Sequence, residues 1–254
     1  MTGSLLAAVV GLGAGVLSGV FGVGGGVVTT PAIRLLLGYP ELVAVGTPLP
    51  VILPTAIAGA FAHARQGTAD VRTGIAVGLW GAPAAVAGAL LASAVGGTVV
   101  LVITALVVII VAVDMVRPGP SGAPGQQREP SGGGVARVAL LGLGAGLYSG
   151  FLGLGGGFLL VPLLYRVYGL PLKRAIGTSL VAVALFAVPG SITHWALGHV
   201  DVPLALALTV GVVPGAVLGA RLNAVARDRT IRLAFAGFLL VVGVVLGLTE
   251  SGVL

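Results

Sequence analysis

The 254-residue chain reads as an all-α polytopic membrane protein built from two repeats, and three observations predict this. Hydrophobic residues make up 57% of the chain and charged residues only 8%, against about 25% charged in a soluble domain. The apolar runs are continuous and roughly 20 residues long, the length of a bilayer-spanning helix, without the short apolar-polar alternation of a barrel strand. Residues 11–90 also align without a gap on residues 142–221, and 30 of the 80 positions are identical.

The first apolar segment, near 4–37, contains "SGVFGVGGGVVTTP" at residues 18–31. Glycine costs about 1 kcal/mol relative to alanine inside a helix, so Gly24, Gly25 and Gly26 mark a place where the helix breaks. Close helix packing would call for small residues at every fourth position, which three contiguous glycines do not supply. Spans follow near 42–62, 74–95 and 97–116, closing a first membrane repeat over residues 1–116. Residues 117–135 include "RPGPSGAPGQQREPSGGG", too rich in Pro, Gly and Ser to bury a core, and are expected to form a flexible linker. The second membrane repeat, 136–254, has the same order. A glycine-broken segment near 136–165 carries "SGFLGLGGGFLLVP" with Gly155, Gly156 and Gly157, and spans follow near 175–196, 203–220 and 233–249. The first charged residue is Arg34, so no basic signal-peptide region is visible and the first segment is expected to stay in the mature chain.

The basic residues orient the halves. Were each broken segment to cross once, the thirteen Lys and Arg would divide five against eight. Were each a helical hairpin returning to its starting side, twelve would share one face and only Arg34 would lie opposite. Positive residues concentrate on the cytoplasmic side, so each repeat is expected to be a glycine-broken hairpin plus three transmembrane helices. The two repeats are then inverted, the linker is cytoplasmic and both termini are external.

A broken helix at membrane depth implies a polar site, because unpaired backbone groups there are tolerated only inside protein or beside a wet cavity. The helix restarting after the glycines offers free N–H groups and its positive dipole end to an anion. Two inverted copies aim two such ends at the bilayer centre, as at the substrate site of a secondary transporter. Thr47 in "AVGTPL" and Thr178 and Ser179 in "AIGTSL" are candidate hydroxyl donors to the same anion. His63 and His194 stand at span ends, where the default place is the membrane interface. Their duplication together with Asp70 and Asp201 makes these four residues candidates for proton coupling.

Other classes find little equipment. The basic residues are scattered without interleaved aromatics, which argues against nucleic acid. There is no cysteine, HExxH or GxxxxGK[ST], and no convergent Ser, His and Asp set, so neither an enzyme nor a metal or other cofactor is expected. The expected partners are the lipid bilayer, a small anion and protons as a coupling ion. An anion channel is the alternative to a transporter.

The duplicated "GVGGG…P" and "GLGGG…P", each followed by "GTPL" or "GTSL" and a span ending in histidine, resemble the TauE/SafE family of membrane permeases. The resemblance implies a multi-pass cell-membrane permease for sulfite, sulfoacetate or another small organosulfur anion. It carries onto Gly24 to Gly26, Gly155 to Gly157, Thr178 and Ser179. Pro48 stands where the second half has Ser179, so a lopsided site is expected.

Overall fold

The computed structural model describes residues 2–117 and 134–250, and among these there is helix and no strand. The first half comprises α1 (Thr2–Phe21), the short α2 (Gly26–Leu36), α3 (Glu41–Arg65), α4 (Val71–Val95) and α5 (Gly97–Val116). The second comprises α6 (Gly134–Leu152), the short α7 (Gly157–Val167), α8 (Leu172–Ala196), α9 (Val202–Val225) and α10 (Asp228–Glu250). Among the described residues seven helices are long and apolar enough to cross a membrane: α3, α4, α5, α6, α8, α9 and α10. Leu79, Ile110, Leu140 and Val210, between 63% and 72% exposed, belong to the apolar belt such a protein turns to lipid. The expected spans are therefore present within a few residues of their ends. Helix α6 begins two residues inside the expected linker, and residues 118–133 of that linker lie outside the described residues.

Local chemistry sets the boundaries. Asp70 and Asp201 cap α4 and α9, their Oδ1 atoms accepting from the N–H of Thr73 at 3.0 Å and of Leu204 at 2.8 Å. Gly96, at φ 94°, separates α4 from α5. Pro31 and Pro162 lie inside the short helices, each of which widens immediately afterwards into a π-turn, Ala32–Leu36 and Leu163–Val167. Proline removes one donor and crowds the carbonyl four residues back, and the wider turn relieves that conflict.

The halves hold each other through exchanged contacts. Helix α1 packs on α9 and α6 packs on α4. A Cβ at Gly11, Gly15 or Gly19 would stand 2.2–2.3 Å from the carbonyl oxygens of Leu208, Val212 and Ala216. Gly142, Gly146 and Gly150 meet Val77, Gly81 and Ala85 in the same way. Small residues every fourth position let backbones touch where lipid supplies no hydrophobic drive. Glycine thus has two uses here, the contiguous breaks and these spaced seams, and the sequence reading had separated out only the first.

Register gives the directions. Gly59 of α3 meets Leu180 of α8, while Gly190 of α8 meets Leu49 of α3, so these equivalent helices run antiparallel. Helices α5 and α10 do likewise, with Gly243 against Ile109 and Gly247 against Ala105. At the face where α5 ends and α10 begins, Arg166 pairs with Asp114 at 2.6 Å and Arg232 donates to the Arg117 carbonyl. Lys173 donates to Ala224 O at 2.8 Å where α8 begins and α9 ends. At the far end of α2, Arg34 pairs with Glu41 at 2.6 Å.

Candidate functional site

Both hairpins break where the glycines predict. Gly22, Gly24 and Gly25 have φ of 74°, 78° and 91°, and Gly153, Gly155 and Gly156 have 66°, 79° and 63°. Any other residue would be strained in that left-handed region. The arms are unequal: α1 has 20 residues, whereas the returning α2 and α7, at 1.5 Å per residue, rise only about 16 Å, half the hydrocarbon thickness. Gly25, capping α2, stands level with Ala14 of α1 and with Thr55, midway along α3, and Gly156, capping α7, with Ala145 of α6 and Phe186, midway along α8.

The two tips meet. A Cβ on Gly26 would lie 2.6 Å from the backbone of Leu154, and one on Gly157 would lie 2.3 Å from Gly22 O. The third glycine of each trio is thus required by contact with the opposite tip, the first two by backbone conformation. Ile52 and Val183, equivalent residues of α3 and α8, close over this junction, 2.9 and 3.0 Å from a Cβ placed on Gly24.

Breaking α1 strips its last carbonyls of their partners, and side chains replace them. His63 Nε2 donates to Gly19 O at 2.9 Å and Asn223 Nδ2 to Val20 O at 2.7 Å, while Ser179 Oγ shares its proton between Gly22 O, just beyond the helix, at 2.8 Å and Ile176 O at 2.7 Å. In the second half His194 Nε2 donates to Gly150 O at 2.8 Å, while Pro48 and Ala92 occupy the positions equivalent to Ser179 and Asn223. Facing a carbonyl fixes the proton on Nε2 of each neutral ring. His63 Nδ1 then lies 2.9 Å from Thr68 Oγ1, and His194 Nδ1 lies 3.2 Å from His199 Nδ1. Burial lowers the pKa of His199, a loop residue, which favours its neutral ring.

Both histidines lie two residues from the ends of α3 and α8, and their side chains are fully buried against the broken arms rather than reaching water or headgroups. The four proton-coupling candidates fall into two kinds: the histidines hold the hairpin arms, and the carboxylates of Asp70 and Asp201 cap helices.

Thr47 and Thr178 are buried crossing points between the halves. Thr178 Oγ1 accepts from the N–H of Asp70 at 2.9 Å and Thr47 Oγ1 from that of Asp201 at 3.0 Å. The glycine before each lets the opposite loop approach, since a Cβ at Gly46 would lie 2.4 Å from His199 O and one at Gly177 would lie 2.2 Å from Thr68 O. The repeated "GT" is therefore one device, a close approach followed by a hydroxyl acceptor. Pro48 interrupts α3 for one residue at Thr47, whereas α8 continues through Ser179.

Four residues escaped the sequence reading. Asn223 lies beyond the aligned block and His199 faces Thr68 across the duplication, so neither repeats. Ser18 and Ser149 do repeat, open the two quoted glycine stretches, and are fully buried without a hydrogen-bond partner among the described residues. Their identity across the duplication was the available signal. A cavity of about 540 Å³ lies elsewhere, on the lipid side between α3, α8 and α9, lined by Pro50, Pro54, Ile192, Trp195 and Leu206. It opens where Pro50 and Pro54 replace the Val181 and Leu185 that fill the equivalent seam against Gly74 and Gly78.

A family model described as sulfite exporter TauE/SafE matches residues 7–246. The chain is 28% identical over 260 residues to a probable membrane transporter protein, YunE, of Bacillus subtilis, covering 92% of this chain and 94% of that one. It is 30% identical over 206 residues to a probable membrane transporter protein of Xylella fastidiosa, covering 79% and 77%. A probable membrane transporter protein of Methanocaldococcus jannaschii is 24% identical over 250 residues, 92% of each chain. No solved structure matches it.

Proposed function

From the premise that this chain belongs to the sulfite exporter TauE/SafE family of multi-pass membrane transporters, we propose a secondary transporter that moves a small anion by alternating access. The family's description names sulfite, and the proposed substrate class is sulfite or an organosulfur anion such as sulfoacetate. One observation carries the reading: two half-length helices begin beside the midpoints of α3 and α8, glycine-capped, with their tips in contact at the junction of the two halves. The N-terminus of a helix attracts negative charge, and half-helices starting inside a bundle are a recurrent way to build a midplane substrate site.

The proposal includes inverted repeats, with the linker cytoplasmic. The antiparallel run of α3 with α8 and of α5 with α10 supports it, as does the basic face formed by Arg166, Lys173 and Arg232. Tight closure of the tips under Ile52 and Val183 supports alternating access over a standing channel, because an anion enters only when one hairpin moves away from the other. Proton coupling acts through His63 and His194, since a change of charge on either ring bears directly on the hairpin arm it holds, whereas Asp70 and Asp201 act only through the helix ends they cap.

Purified protein in liposomes tests this with sulfite, sulfoacetate, sulfate and chloride, with and without a pH gradient. The expected outcome is saturable uptake of a sulfur oxyanion with a pH dependence that His63→Gln and His194→Gln flatten. Uptake that rises linearly with concentration and ignores chemical identity would favour a channel.

A further inference from the structure

We infer that Ser18 and Ser149 are side-chain ligands of the transported anion, forming two equivalent subsites, one at the start of each half-helix. The inference rests on the anion-transport reading above. Each serine is fully buried, and among the described residues its Oγ has no hydrogen-bond partner. Buried hydroxyls without a partner are few in native proteins, and each calls for an explanation such as a water or a ligand. Here the feature occurs at both positions of the duplication, so one explanation must serve for two places.

The usual refuge of a hydroxyl in a membrane helix is the carbonyl four residues earlier. Thr29, Thr55, Thr104, Thr193 and Thr209 all take it, at 2.6–3.2 Å. Ser18 and Ser149 do not. The carbonyls they leave, Ala14 O and Ala145 O, lie 3.7 and 2.8 Å from where a Cβ on Gly25 and Gly156 would stand. The serine side chains border the same two glycines, with Ser18 Cβ 3.9 Å and Ser149 Cβ 3.0 Å from those points.

Gly25 and Gly156 cap α2 and α7, and no side chain caps either helix. In α2 the first intrahelical bonds are donated by Val28 and Thr29 to Gly25 O, so the N–H groups of Gly26 and Val27 precede the ladder. A serine hydroxyl beside such N–H groups makes a donor set for an oxyanion without any cationic side chain, which lets the anion leave as readily as it arrives. At the junction between the two sets Ile52 and Val183 face Gly24, and the Leu154 and Val23 backbones meet Gly26 and Gly157. The Ser18 subsite is the roomier, facing Thr55, whereas Phe186 closes to 3.4 Å of a Cβ on Gly156 in the other.

Equilibrium binding of radiolabelled sulfite to purified wild-type protein and variants tests the assignment, with thermal unfolding as the check on folding. Losing a hydroxyl partner to a bound charge typically weakens binding about ten- to a hundredfold. Ser18→Ala and Ser149→Ala are each expected to weaken binding within that range, and Ser18→Thr, which keeps the hydroxyl in the roomier subsite, to bind within about threefold of wild type. Ser191→Ala removes another buried hydroxyl without a partner, one that lines the lateral cavity, and is expected to bind as wild type does. Wild-type binding by both Ser18→Ala and Ser149→Ala, or an equal loss in Ser191→Ala, would overturn the serine assignment and leave the transporter reading standing. Failure of the wild-type protein to bind sulfite, sulfate or sulfoacetate would overturn both.

Discussion

His63 donating to Gly19 O does what the next backbone N–H would have done had α1 continued. An acceptor left without a donor in a buried site costs about 1–3 kcal/mol. His63→Leu should therefore lower the unfolding free energy in detergent by about that amount, and His63→Gln, whose amide can donate, by clearly less. Equal losses in the two variants would contradict the capping role. The repetition of the histidine was legible in the sequence, but its cause was not, because the acceptor lies 44 positions away. Thr47 and Thr178 were legible as paired polar residues for the same reason. Their partners lie 154 and 108 positions away in the opposite half, so an inter-half latch could not be distinguished from a ligand contact by spacing alone.

At the scale of elements, the hairpin decides the topology. In the proposed arrangement α1 and α2 leave from and return to the same side, which gives each half an odd count of passes and turns the second half over relative to the first. A reporter fused near Gly125 is expected to read cytoplasmic and one after Leu254 external. Reporters reading on the same side would contradict the inverted arrangement. Apolar length sufficed to find α3, α4, α5, α8, α9 and α10, and contiguous glycine sufficed to find the breaks. The seams at Gly11, Gly15 and Gly19 also have a sequence period. In a segment so rich in glycine, though, that period stands out only once the partner helix, α9, is known. The unequal arms were not legible either, since both arms are apolar and only the position of the break relative to α3 fixes their depth.

The molecule as a whole is held together by exchange: α1 is seated on α9 of the opposite half, α6 on α4, and the two tips touch where the halves meet. On the proposed mechanism such an assembly opens in two ways, one hairpin moving or the other, each exposing the same pair of helix N-termini to one side of the membrane. The central claim is that the anion passes through that junction and that the junction opens to one side at a time. Counterflow in proteoliposomes tests it most directly, with uptake of labelled sulfite measured against an excess of unlabelled sulfite inside. The account predicts that internal sulfite accelerates uptake several-fold in the wild-type protein. It also predicts that Gly157→Leu, whose side chain would collide with Gly22 and Val23 of the other tip, abolishes uptake in a protein that still inserts in the membrane. Uptake indifferent to internal sulfite, or wild-type uptake in folded Gly157→Leu, would contradict it.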